Sequence, residues 1–368
     1  MKNILLIGYY GKENFGDDVL FKITYNIVSQ WQPNANISVL CEPRDNYYFS
    51  NLIGKDIRVI HHGAKEYFDV IIHGGGGTFF DFNESSLSNL FINNFIKTIG
   101  FSTYKKVDSL IRKITHKEGI SCDTRYGLGI GVGTYTESSE KLKYNIPTLL
   151  DFDCLIVRDK LSIKNLNTMS ITENIKLGSD LAFLNNFWLP KNIYNNTQTQ
   201  EIKNIGIILR DWSKDKDYLK KIKHILKPLS KKYELTLFIF DKTEDLETID
   251  MFSDYATLIW DSMSIKFDDY CQRLASQDIL ITSRAHGAIC GAVLGVPSII
   301  IEIEPKLQTI HSLLPTSTVL LTLKELNLSF IEKSISKLLT CEKKEISYDV
   351  NKNKNLMKNI IDLILVGK

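Results

Sequence analysis

Ser283, Arg284, Ala285, His286 and Gly287 set two kinds of chemistry side by side. Arg284 offers a planar fork suited to phosphate or carboxylate. His286 offers a ring that takes up or releases a proton near neutral pH. The flanking residues supply a frame for them. Asp278–Ser283 is a short β-branched apolar run and reads as a buried strand. Ala285–Gly295 is rich in Ala, Ile, Val and Leu, stops at a Gly, and is followed by Pro297; it reads as a buried helix. Val296–Ile303 is a second apolar run and a second strand. Strand, helix and strand at this length make a parallel βαβ unit. Ser283 to His286 then fall in the turn from the strand's carboxyl end into the helix. Open α/β sheets take ligands there, and free N–H groups favour an anion. The plainer alternative is an arginine capping a neighbouring carboxylate beside a structural histidine. The whole Ser-Arg-Ala-His-Gly set at such a joint favours a site.

Other strand ends repeat the pattern. Asn3–Ile7 reads as a buried first strand running into Gly8, Tyr9, Gly11 and Gly16, with Asp17 and Asp18 opening a helix to about Gln30. The spacing is not the dinucleotide GxGxxG. Asn14, Asp17 and Asp18 there suit the hydroxyls of a polar ligand, or more simply an acidic helix start. Ile37–Leu40 and Arg58–His61 read as strands. Asp69–Ile72 is another, leading to a turn of His73, Gly74, Gly75, Gly76, Gly77 and Thr78. Four glycines let the backbone approach a ligand closely and point its N–H groups at it, so the run reads as a binding loop. Tyr126–Thr134 and Leu155–Val157 follow as strands, the latter ending in Arg158, with a helix from Ser162 and a turn at Gly178, Ser179 and Asp180. Leu87–Phe101 reads as a helix, and Lys105–Lys117 as a basic amphipathic one, a solvated surface face or a contact for anionic lipid head groups. After a polar linker, Ile205–Leu209 opens a second α/β unit and ends at Arg210; Leu235–Phe240 is its next strand. Helices are expected over Tyr218–Tyr233, Lys266–Ser276, Leu326–Leu339 and Asn355–Val366, the last crossing back to the first domain. The expected architecture is two doubly wound Rossmann-like domains, residues 1–189 and 204–368, joined by the linker 190–203.

Composition narrows the function. The chain has 368 residues, 43% of them apolar and 24% charged, a formal net charge of +2 and a pI near 8.0, which carries no bulk basic signal for nucleic acid. The six cysteines are scattered without metal spacing, as expected of a reduced, cytosolic protein without structural zinc. The apolar run at Ile4–Ile7 is too short for a signal peptide, and no window suits a transmembrane helix.

Six motifs in order carry a resemblance: GYYGKENFGDDVL, DVIIHGGGGTF, IVRDKLS, GSDLAFL, GIILRD and SRAHGAICGAVLGVPSIIIEIEPK. Together they resemble the polysaccharide pyruvyl transferases, from about Ile4 to Lys306; Asn83–Thr124 matches nothing in that family. The resemblance implies a GT-B-like fold with its active site in the interdomain cleft, and transfer of a pyruvyl group from phosphoenolpyruvate to a sugar hydroxyl pair of a cell-surface polysaccharide or its precursor. It implies Arg284 and His286 as catalytic residues. The donor set it implies is Arg158, Arg210, Ser283, Arg284, Ala285, His286, Gly287 and Lys306. The acceptor set is Tyr9, Asn14, Asp17, Gly75, Gly76, Gly77, Thr78 and Asp180, with Asp17 or Asp180 accepting the hydroxyl proton or positioning the sugar. No metal and no cofactor are expected, only phosphoenolpyruvate as co-substrate. The acceptor saccharide is free or lipid-linked, membrane contact at most peripheral, and the location cytoplasmic, up to the inner face of the cell membrane. Chemistry agrees: a phosphate beside a carboxylate, bound without metal, calls for several arginines and a helix N-terminus. A GT-B glycosyltransferase using a nucleotide sugar is the competing enzyme reading, and an inactive saccharide-binding family member the non-enzymatic one. Acceptor identity and oligomeric state are not written in these motifs.

Overall fold

Apolar runs become central strands. In a computed structural model, Asn3–Ile7 (β1), Asn36–Leu40 (β2), Arg58–Ile60 (β3), Tyr67–Phe79 (β4), Ser121–Val132 (β5), Cys154–Val157 (β6) and Ile175–Leu177 (β7) form one parallel sheet in the order β3-β2-β1-β4-β5-β6-β7. Asn204–Ile208 (β8), Glu234–Ile239 (β9), Ala256–Ile259 (β10), Ile279–Thr282 (β11), Ser298–Glu302 (β12) and Thr318–Thr322 (β13) form a second, in the order β10-β9-β8-β11-β12-β13. The structure describes residues 1–41, 46–79, 119–133, 135, 140–193, 202–212, 214, 215 and 217–366. The helices expected over Leu87–Phe101 and Lys105–Lys117, and residues 194–201 of the linker, lie outside them. Among the described residues no helix is long and apolar enough to cross a membrane.

In each sheet the strand order reverses direction at one place, between β1 and β4 and between β8 and β11. Such a switch point leaves a crevice at the strands' carboxyl ends. The glycine-rich segment after β1, the glycine run of β4, Arg210 after β8 and Arg284 after β11 all lie at these ends.

Elements that bear on the site differ from the sequence expectation. The glycine run is strand, not turn: β4 continues through Gly74–Phe79 and stays paired with β5. Gly75 and Gly76 take φ of 69° and 82°, a left-handed backbone that side chains resist, so the strand bends there while keeping its ladder, and register shifts between Gly77 and Phe79. β5 starts at Ser121, earlier than Tyr126. The C-terminal helix runs Lys343–Ile361, opened by a reciprocal cap between Glu342 and Glu345. Its buried stripe includes Ile346, Val350, Asn353 and Met357. Asn353 accepts from Ser179 Oγ at 3.0 Å and Lys354 Nζ donates to Asn185 at 2.7 Å, so this helix packs on the first domain.

A second tie between domains is the start of α1 (Phe15–Trp31). Asn14 pairs with Asp241 as an antiparallel bridge, and Phe15 N–H donates to the Phe240 carbonyl at 2.8 Å. Glu13 meets Lys242 at 2.8 Å, and Trp260 Nε1 donates to Asp18 at 2.7 Å.

Candidate active site

The site grows from α1. Asn14 caps this helix, accepting from the N–H groups of Gly16 and Asp17, while its amide donates to Asp241 at 3.2 Å. The cap puts Asp17 in the first turn, at the carboxyl edge of β1. Burial pushes the Asp17 carboxyl up to about 6; His286, Arg284 and Lys306 pull it down and Asp241 pushes it further up. Asp17 therefore shares one field with three cationic or proton-carrying groups of the other domain. Gly76 stands beside it: a Cβ there would lie 3.6 Å from Asp17 Oδ1. Gly77 is exposed, and Thr78 Oγ1 donates to the Gly75 carbonyl at 3.3 Å. Tyr9 is half-exposed; burial and the charges of Glu244, Asp17 and Asp241 raise its hydroxyl, against Arg210.

β6 ends at buried Arg158. Its Nε donates to Asp159 at 3.3 Å, and its Nη1 stands 3.6 Å from Asp180 Oδ2. Asp180 is fully buried and caps a short 3-10 turn, Oδ1 accepting from Ala182 N–H at 3.0 Å. Burial pushes this carboxyl up, but His286, Arg158 and the Ala182 N–H outweigh it and hold it below the usual range. His286 Nε2 faces Asp180 Oδ2 across 3.6 Å, and neither atom has a hydrogen-bond partner among the described residues. On its other side the ring lies against Gly16, where a Cβ would fall 2.2 Å from Nδ1. His286 is thus held between two segments of the first domain.

Arg284 is the N-cap residue of the helix Ala285–Val293. Its Nη2 donates to Asp245 Oδ2 at 2.5 Å and its Nε to the Leu209 carbonyl at 3.2 Å. Burial raises fully buried Asp245 to about 6 despite this pairing. Arg284 does cap a carboxylate, as the plainer reading had it, while its charge still reaches Asp17. Ser283 Oγ accepts from Arg210 N–H at 3.0 Å, tying the ends of β8 and β11 together. Ala285 is nearly buried, and Gly287 packs over Thr282 Oγ1. Arg210 Nη1 lies 3.3 Å from Glu304 Oε1, with the Trp212 ring centroid 5.5 Å from its guanidinium carbon. Lys306 Nζ lies 2.7 Å from the same Glu304 oxygen. Burial lowers Lys306; Glu304 opposes this, and Arg210 and Arg158 add to it.

The structure thus brings together Asp17, Asp180, Arg158, Arg210, Arg284, His286 and Lys306. Asn14 and Ser283 serve the scaffold around them. Three acids escaped the sequence reading: Asp241, Asp245 and Glu304. Their signal was position. DKTED follows β9 after Phe240, and Glu304 follows β12, both at carboxyl ends. Among the described residues no three or more His, Cys, Asp or Glu side chains are grouped to hold a metal ion.

Two parallel-sheet α/β domains with charged groups of both at the joint define a GT-B-type protein. Solved structures show the same fold. UDP-N-acetylglucosamine 2-epimerase from Methanocaldococcus jannaschii has a TM-score of 0.58 at 11% identity, with 98% of this chain and 99% of that one covered. The enzyme of that name from Rickettsia bellii gives 0.58 at 10%, covering 100% and 96%. The glycosyltransferase of kitacinnamycin gives 0.52 at 7%, covering 99% and 98%. No curated protein matches the chain. The polysaccharide pyruvyl transferase family model matches residues 14–305, and the chain belongs to that family.

Proposed function

We propose that this protein moves a pyruvyl group from phosphoenolpyruvate onto two hydroxyls of a cell-surface saccharide or its precursor, closing a ketal. The observation that carries the proposal is the gathering of Arg158, Arg210, Lys306 and His286 at strand and helix ends of both domains: Lys306 and His286 act on Asp17, and Arg158 and Arg210 act on Lys306. Such a set suits a small ligand with a phosphate beside a carboxylate. A metal is not needed for the charge, since the three cations and the N-terminus of Ala285–Val293 meet it.

The chemistry runs through a proton, a cation and a leaving phosphate. His286 delivers a proton to the methylene carbon, which becomes a methyl group. The central carbon then carries positive character, and one sugar hydroxyl adds to it. The bond from that carbon to the phosphate oxygen breaks, and the second hydroxyl closes the ketal. Of the two hydroxyl protons, one replaces the proton given by His286 and the other leaves with phosphate. Asp17, raised to about 6, sits in the range for accepting such a proton. Asp180, held ionised and buried, instead steadies His286 and Arg158. The reaction belongs in the cytoplasm or at the inner face of the membrane, where phosphoenolpyruvate meets the saccharide precursor.

A thermal-shift titration with EDTA present tests this. Phosphoenolpyruvate at 100 times its Kd should stabilise the fold by about 2.7 kcal/mol, and nucleotide sugars should not. Stabilisation by a nucleotide sugar alone would replace pyruvyl transfer with glycosyl transfer.

A further inference from the structure

We infer that Glu304 is a resident anion in the donor pocket that weakens phosphate binding, and so sets the affinity for donor and the release of inorganic phosphate. The inference rests on the pyruvyl-transfer reading for the donor's identity. Its basis is geometric. One oxygen of Glu304 meets both Arg210 Nη1, at 3.3 Å, and Lys306 Nζ, at 2.7 Å. The two cations come from different strand ends, β8 and β12, and only this carboxylate joins them among the described ion pairs. The exposures are ordered. Glu304 is 10% exposed, Arg210 24% and Lys306 32%, so the acid is the most enclosed of the three. A ligand held by the two cations feels the carboxylate that joins them.

Removing water strengthens every charge at such a position. Without Glu304, two cations near Arg158 would hold any dianion tightly, the product phosphate as well as the donor. With Glu304, part of their field is cancelled while the ammonium's three donors and the guanidinium's five still outnumber the bonds one oxygen can take. Glu304 is therefore a positioning and charge-setting residue, acting through Arg210 and Lys306. A purely structural role makes the opposite prediction, since loosening two cations should weaken anion binding.

The experiment is calorimetric titration of the full chain with phosphoenolpyruvate and, separately, inorganic phosphate. Glu304→Gln keeps an accepting oxygen and removes the charge. It should bind both ligands roughly tenfold more tightly, and turnover should become correspondingly more sensitive to added phosphate. Glu304→Asp keeps the charge and draws it back from Lys306, so its affinity should fall between wild type and Glu304→Gln; it also reads the effect if the glutamine variant does not fold. Equal or weaker binding of phosphate in both variants overturns the inference. If wild type binds phosphate but not phosphoenolpyruvate, the pyruvyl-transfer reading fails, and the phosphate series still decides the role of Glu304.

Discussion

Gly16 and His286 belong to different domains and touch, so the position of the His286 ring depends on a missing side chain. A methyl at residue 16 would fall 2.2 Å from Nδ1, 2.7 Å from Cγ and 2.8 Å from Cβ of His286, so a turn of the ring alone cannot clear it and the two segments would have to part. Alanine is otherwise the better helix former, by about 1 kcal/mol. Gly16→Ala should nonetheless lower the melting temperature by overpacking the joint and lower kcat about a hundredfold, the scale of a misplaced reacting group. Unchanged kcat would show that the ring is free to move and that Gly16 does not position it. At this scale the sequence was readable where chemistry is local. Arg284 and His286 stand two residues apart at a strand end, and no other arrangement of that motif was needed to mark them. Their partners were not readable. Asp245 reaches Arg284 only through the packing of β9 and β11 around β8, and Asp180 reaches His286 only once the domains meet. Nor could the sequence say that part of the Arg284 fork is committed to Asp245 and Leu209.

With the C-terminal helix, the first turn of α1 couples the domains. Phe15 is fully buried, and its ring centroid lies 5.0 Å from Phe240, 5.2 Å from Trp260, 5.5 Å from Phe267 and 4.7 Å from Tyr270. All four neighbours belong to the second domain. Phe15→Ala should cost about 3–5 kcal/mol in denaturant unfolding, because a rigid aromatic nest cannot collapse onto the space. It should also lower activity more than stability alone explains, since Asp17 and Gly16 sit on the same turn. A loss under about 1 kcal/mol would mean that the nest is open in solution. Element prediction succeeded where burial is continuous: β8, β11, β12 and the helix Ala285–Val293 are apolar runs with clear stops. It missed β7, β10 and β13, edge strands of three to five residues, too short to give a clear period, the first two with mostly exposed residues. It missed most of the C-terminal helix because Lys and Asn crowd its solvent face and thin the apolar stripe. The glycine run misled for a different reason: four glycines signal a turn, but parallel pairing to β5 carried the strand through them.

For the molecule as a whole, the joint between domains contains a charge problem. Asp18 is fully buried where the domains meet, accepting from Tyr48 at 2.5 Å in one and Trp260 at 2.7 Å in the other. Its second oxygen has no hydrogen-bond partner among the described residues. Burial pushes the carboxyl up to about 7; the two hydrogen bonds oppose this, and Asp17 and Glu13 add to it. An unfolded aspartate titrates near 3.9. The folded chain therefore holds this proton over a range where the unfolded chain has lost it. Its contribution to stability is fully present below pH ~4 and is lost as pH rises through about 7. Asp18→Asn mimics the protonated form, keeping an acceptor for Tyr48 and Trp260 and losing the charge. The variant should match wild type near pH 4, already lead it at pH 5, and be the more stable of the two at pH 8 by on the order of 2–4 kcal/mol. Other groups, such as buried His73, whose ring titrates well below its usual range, act alike on both proteins and drop out of the difference. Parallel urea titrations from pH 4 to 8 read that difference directly. A gap between the two proteins that stays constant with pH would mean that Asp18 is ionised in the joint throughout, and that the Tyr48 and Trp260 donors hold a carboxylate rather than an acid.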